Sequence, residues 1–103
     1  MLDKKVYYFI TVVEEKSFSK AAQKMYLSQP NLSRQVKLLE EELGVKLLNR
    51  DGYRPVLTSA GEYYFNEIKK VQEYVEGIQN RLNTMEQQEI RIGFTGSFEN
   101  RRI

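Results

Sequence analysis

Ser28, Gln29, Pro30, Asn31, Ser33, Arg34 and Lys37 crowd into a short polar stretch, "SQPNLSRQVK", that runs into the acidic triplet Glu40-Glu41-Glu42. Amides, hydroxyls and a guanidinium share one chemical aptitude: they exchange hydrogen bonds with flat edges that carry patterned donors and acceptors. Gln and Asn match the donor–acceptor pair of adenine, Arg matches the two acceptors of guanine, and Ser suits several groups. The same residues make poor catalysts. Three consecutive carboxylates fan around a helix, so they converge neither as an acid–base pair nor as a metal cage. Ser28 and Ser33 lack an activating partner, since the chain contains no histidine. No catalytic residue and no metal ligand is therefore expected, and the chain is not expected to be an enzyme.

These residues need a helix to hold them. Leu32, Val36, Leu39 and Leu43 recur at steps of four, three and four, which predicts an amphipathic helix over 28–43. With those four facing inward, Pro30, Arg34, Lys37 and Glu41 fall on the opposite face, flanked by Asn31 and Ser33. Either Ser28 caps this helix with Pro30 in its first turn, or Gln29 is the boundary and Pro30 comes first. Gly44 is the natural stop. The polar-then-acidic order suits a helix that approaches a polyanion tip first, because only its first two turns come near. Its N-terminal N–H groups and positive dipole also favour a phosphate.

Before it, Leu2, Val6, Phe9, Ile10 and Val13 form the apolar face of a first helix, closed by Glu14, Glu15 and Lys16. Ser19 is expected to cap a short second helix, "KAAQKMY", whose Ala21, Ala22 and Met25 allow close packing, with Phe18 as a core residue. Two short helices joined by a tight turn, the second the longer, make a helix-turn-helix. Beyond Gly44, "VKLLNRDGYRPVL" places Asp51-Gly52 between two apolar-polar runs and predicts a two-stranded wing, with Pro55 on an edge. Arg50 and Arg54 bracket that turn, where they could reach phosphates or the minor groove, although Arg50 could instead pair with Asp51. Lys4, Lys5, Lys20 and Lys24 are either phosphate contacts or solubilising charge.

A capping box from Ser59 to Glu62, with Thr58 as a competing cap, opens the longest segment. Tyr64, Ile68, Val71, Val75, Ile78, Leu82 and Met85 then alternate steps of four and three, the seam of a coiled coil. A helix over 59–88 would be about 45 Å long, more than a small body can cover, so a second copy is the expected partner. A parallel pair would set Arg81 near the other Glu86, an antiparallel pair near the other Glu67, and such surface contacts do not decide the direction. Gly77 weakens this helix by about 1 kcal/mol relative to Ala. Past it, Ile90, Ile92 and Phe94 alternate with Arg91, as in a β-strand, and the sequence looks cut off at the start of another domain. Gly93 and Gly96 are too weak a pattern for a phosphate loop.

The composition agrees with an intracellular binding protein. The 103 residues are 41% hydrophobic and include no cysteine, so no disulfide or thiolate chemistry is available. The amino terminus lacks a cleavage site, and no run is long enough to span a bilayer; the expected location is the cytoplasm, on the nucleoid. Net charge is +2, but residues 1–57 carry ten basic and seven acidic groups whereas residues 58–89 carry three and six. A polyanion partner would meet the amino-terminal part.

"YFITVVEEKSFSKAAQKMYLSQPNLSRQVKLLEEELGVKLLNR" followed by "VLTSAGEYY" closely resembles the amino-terminal domain of LysR-type transcriptional regulators. The resemblance implies a mainly α fold: a winged helix-turn-helix over 1–58, a long coiled-coil linker helix over 59–88, and the start of an effector-binding domain over 89–103. It implies sequence-specific binding of double-stranded DNA by a homodimer whose linker helices pair antiparallel, with a higher oligomer open to the intact protein and no membrane association. It places DNA contacts at Ser28, Gln29, Pro30, Asn31, Ser33 and Arg34, and at Arg50 and Arg54 in the wing; the helix face adds Lys37. No cofactor is expected in this chain, and a small-molecule effector would bind the missing carboxy-terminal domain. Leu48 stands where the family often has Phe, and Asn31 where a small residue is common. The alternative is a coiled-coil interaction module whose winged helix binds no DNA.

Overall fold

The computed structural model describes residues 2–52 and 54–92. Its elements run α1 (Lys4–Glu15), α2 (Phe18–Met25), α3 (Gln29–Leu43), β1 (Leu48–Asn49), β2 (Val56–Leu57) and α4 (Ser59–Ile92). It divides into two compact units, Met1–Gln72 and Glu73–Ile103, so the beginning of α4 belongs with the helix-turn-helix.

The first unit is built on α1, α2 and α3. Phe9, Ile10, Val12, Ala21, Leu32, Val36, Leu47 and Leu48 are essentially inaccessible, and Val6, Ala22 and Leu39 complete the core. Each large apolar side chain removed from water in this way contributes about 1.5–3 kcal/mol. Two expectations shift slightly. Val12 is fully buried where the spacing favoured Val13, which is only half-buried, and Leu43 is 41% exposed because α3 ends one residue later at Gly44. Gly44 takes φ 77° there, a conformation that suits a residue with no side chain.

The caps differ in one place from the sequence reading. Ser17, not Ser19, caps α2: its hydroxyl oxygen accepts from the Lys20 N–H at 3.1 Å, and Phe18 is already the first helical residue. Both serines precede apolar helical residues, and only Ser17 has the extended backbone a cap requires (φ −167°, ψ 128°). The two open choices are settled. Ser28 caps α3, with its oxygen accepting from the Asn31 N–H at 3.2 Å and Pro30 in the first turn. Thr58 caps α4, accepting from the Gly61 N–H at 2.9 Å.

The wing is a two-residue antiparallel ladder, Leu48 opposite Leu57 and Asn49 opposite Val56. Its loop spans residues 50–55, so Arg50, Asp51, Gly52, Arg54 and Pro55 all lie between the strands rather than around a two-residue turn. The start of α4 is clasped to this region. Thr58 donates through its N–H to the Leu47 carbonyl at 3.0 Å and through its hydroxyl to the Lys46 carbonyl at 2.6 Å. Gly61 then passes so close to Leu47 that an added Cβ would collide with the Leu47 carbonyl oxygen.

Along α4, Tyr64, Phe65 and Ile68 pack on the chain's own core, with Tyr64 and Phe65 tilted or edge-on against Phe9 at 5.7 and 6.4 Å between ring centroids. Tyr64 and Ile68 thus spend on the core the face that the heptad spacing assigned to a partner. Burial holds the Tyr64 phenol above its ordinary range. Farther along, Val75 and Ile78 are half-buried, while Leu82 and Met85 are 51% and 49% exposed. The strand expected from Ile90 does not form: α4 continues through Ile92. Three alternating residues are a weak signal beside a helix whose hydrogen-bond ladder propagates one residue at a time. Phe94, Gly93 and Gly96 lie outside the described residues.

Candidate nucleic-acid interface

Helix α3 presents the side chains singled out by type. Ser28, Gln29, Pro30, Arg34 and Lys37 are exposed, whereas Asn31 and Ser33 are half-buried at the edges of the face. Ser28 spends its oxygen on the cap. Among the described residues Arg34, Lys37 and Arg54 form no ion pair or side-chain hydrogen bond. Exposed cations without a carboxylate partner are available to an anion, and the N–H groups at the start of α3 add to that.

The other basic candidates are used internally to different degrees. Lys5 bridges Asp3 and Glu42 at 3.2 and 3.1 Å, and both carboxylates raise its ammonium above the ordinary lysine range. Lys24 pairs with Glu15 at 3.2 Å. Lys4 and Lys20 are exposed and make no ion pair among the described residues.

Arg50 departs most from expectation. The sequence pairs it with Arg54 as a cation that could reach phosphate or the minor groove, whereas its guanidinium is turned inward. Nη1 donates to the Ser33 hydroxyl oxygen at 2.7 Å, and Nη2 faces the Glu40 carboxylate at 3.6 Å. The cation also lies over the Phe18 ring, 4.9 Å from its centroid. It forms no pair with Asp51, whose N–H is instead taken by the Asn49 side chain at 3.0 Å. Burial pulls the Arg50 guanidinium below its ordinary value and Glu40 opposes that pull; an arginine remains cationic at neutral pH.

Two residues of this region escaped the sequence reading. Glu40 looked like one member of a solvated acidic run, yet its side chain is only 11% exposed. Its Oε2 accepts from the Leu47 and Leu48 N–H groups at 2.7 and 3.0 Å, anchoring the chain as it enters the wing. The only sequence signal was its step of four from Val36, one residue past the core position Leu39. Tyr26 closes α2 in the turn before α3 with φ 58°, and it is 94% exposed. A tyrosine in left-handed backbone, with nothing to pack on, has no sequence signature.

The geometry now meets its relatives. Residues 4–62 match the family model described as bacterial regulatory helix-turn-helix protein, lysR family. The chain belongs to the LysR family. Among curated LysR relatives it is 47% identical over 94 residues to the HTH-type transcriptional regulator BenM of Acinetobacter baylyi, covering 87% of this chain and 30% of that one. It is 44% identical over 93 residues to the HTH-type transcriptional regulator AlsR of Bacillus subtilis, covering 87% and 31%. Its fold superposes with a TM-score of 0.77 and 38% identity on the crystal structure of the BenM_DBD/benA site 1 DNA complex, covering 82% of this chain and 96% of that one. The fold is the winged helix-turn-helix of LysR DNA-binding domains. The chain spans about 30% of the length of these curated relatives, all of them named as transcriptional regulators. Among the described residues no group of side chains is arranged to hold a metal ion, and no helix is long and apolar enough to cross a membrane.

Proposed function

We propose that this chain is the DNA-binding portion of a LysR-type transcriptional regulator, acting on double-stranded DNA as a homodimer in the cytoplasm. The observation that carries this reading is the N-terminal part of α3, where Gln29, Pro30 and Arg34 are exposed and Arg34 makes no ion pair among the described residues, in a fold shared with a relative whose solved structure contains DNA. Gln29, Pro30, Asn31, Ser33 and Arg34 meet base edges in the major groove, while Lys37 and the wing residue Arg54 meet the sugar–phosphate backbone or the minor groove. Ser28 supports them as the cap. The dimer forms through the apolar seam of α4 beyond its own core contacts, at Val71, Val75, Ile78, Leu82 and Met85, with two copies of α4 antiparallel. Residues 89–103 lead into an effector-binding domain that takes a small molecule.

Fluorescence anisotropy with DNA selected from a random-sequence pool tests this. The wild type binds with affinity that falls steeply with salt, because displaced counterions are released from the phosphates. Arg34→Ala and Gln29→Ala each weaken binding by about 1–3 kcal/mol and relax preference at one base position. Unchanged affinity and unchanged preference in both variants would remove base reading from α3.

A further inference from the structure

Arg50 is a cation in the wing that the surface does not use. Its Nε and Nη2 are buried and have no hydrogen-bond partner, although Nη2 sits 3.6 Å from Glu40. Burying donors without acceptors is costly, so the position answers a demand other than solvation. That demand is visible in what the guanidinium touches. One fork arm donates to Ser33 on the DNA-facing helix, the other faces the carboxylate that anchors Leu47 and Leu48, and the plane rests on Phe18. One side chain thereby ties α2, α3 and the entry to the wing together.

The consequence for Ser33 is chemical. A serine inside a helix commonly turns its hydroxyl back to the carbonyl four residues earlier, which hides the proton. Thr11 and Thr84 do so, to the Tyr7 and Asn80 carbonyls, but among the described residues Ser33 makes no such bond, and its oxygen accepts from Arg50 at 2.7 Å. A hydroxyl has one proton and two lone pairs, and a strong charged donor on one lone pair leaves the proton to be given elsewhere. We propose that Arg50 is a positioning residue of the DNA-binding face: it holds Ser33 as an outward hydrogen-bond donor and fixes the wing to α3 without itself touching the phosphate backbone. Ser33 then selects acceptors, guanine O6 or N7, thymine O4 or a phosphate oxygen, over donor groups such as the adenine and cytosine amines. This rests on the DNA-binding reading above and deepens it.

Salt dependence separates positioning from contact. Replacing a phosphate-contacting cation makes the plot of log affinity against log salt shallower by about one unit. Arg50→Gln should weaken DNA binding at least tenfold with the wild-type salt slope, while Arg54→Gln should make the slope shallower by about one. Arg50→Lys discriminates further. A lysine keeps the charge, so it would rescue a phosphate contact; it cannot serve Ser33 and Glu40 with one planar fork, and should bind as poorly as Arg50→Gln. Adding Ser33→Ala to Arg50→Gln should bring little further loss. A shallower slope for Arg50→Gln, or full rescue by lysine, would overturn the proposal.

A measurement without DNA guards against variants that fail to fold and against failure of the DNA reading itself. In the free wild-type protein, the Arg50 guanidinium N–H resonances should be resolved and slow to exchange with water. Ser33→Ala, which leaves the core untouched, should collapse the resolved Nη signals into fast exchange. Resonances unchanged by Ser33→Ala would overturn the linkage between the two residues. A wild type without DNA affinity, but with this coupling intact, would locate the failure in the DNA reading.

Discussion

Gly61 and Gly77 are interior residues of one helix, and their surroundings have nothing in common. Gly61 abuts the Leu47 backbone so closely that no side chain fits, whereas Gly77 has nothing within 4 Å of where a Cβ would stand. The apolar residues around them divide the same way. Tyr64 and Ile68 are packed on the chain's own core, while Leu82 and Met85 remain about half exposed. An unbroken heptad pattern says that a stripe must be covered; it does not say by what. The first turns of α4 are covered by the helix-turn-helix, and the later ones leave Val71, Leu82 and Met85 exposed as an apolar surface, the one on which the proposed dimer rests.

The largest test of that difference is Val75→Asp combined with Ile78→Asp. Charges on the later seam should convert dimers to monomers in light scattering and weaken DNA binding at least a hundredfold. The thermal transition of the helix-turn-helix should be preserved. A dimer that survived would move the interface off this stripe. Next in size is Gly61→Ala, expected to cost about 3 kcal/mol in urea unfolding, because the methyl group forces backbone apart from backbone. Gly77→Ala should do the reverse and stabilise the helix by about 1 kcal/mol. If the two substitutions changed stability in the same direction, the division of α4 would collapse.

The smallest effect lies at the other end of the chain. Asp3 caps α1, and its carboxyl is held below the ordinary value by hydrogen bonds from the Lys5 N–H and then from the Lys5 ammonium. A depressed carboxyl stabilises the fold above its unfolded value near 3.8 and loses that contribution as pH falls through the lower folded value. Asp3→Asn should therefore slightly lower the thermal midpoint at neutral pH, with the two profiles converging at acid pH, so that the variant's acid limb is the flatter. A steeper acid limb would contradict the assignment.

Much of the architecture could be read from one dimension because it rests on local rules. The period of Leu32, Val36 and Leu39, the stop at Gly44 and the punctuation around Asp51-Gly52 each act within a few residues, and the corresponding elements form. The placements that the sequence did not reveal have a common cause. Arg50 and Arg54 look alike as cations flanking a turn, yet one of them finds Ser33, which is 17 residues away in sequence. Glu40 reaches N–H groups seven and eight residues ahead for the same reason. Residue type shows what a side chain is able to bind, whereas its direction is fixed by distant chain. The candidate face on α3 was legible because a helix sets side-chain directions by itself; the wing loop was not, because six residues between two very short strands have no period.

The close approach of Gly61 to Leu47 also sets a mechanical limit. A helix seated on its neighbour through side chains can roll by exchanging rotamers. At Gly61 backbone lies on backbone, and a roll that brought Ala60 or Glu62 to the same place would drive a Cβ into the Leu47 carbonyl. The first turn of α4 therefore has a single azimuth on the wing. A torque arriving there along the helix axis would be handed on to the strand that follows Leu47 instead of being absorbed as slip.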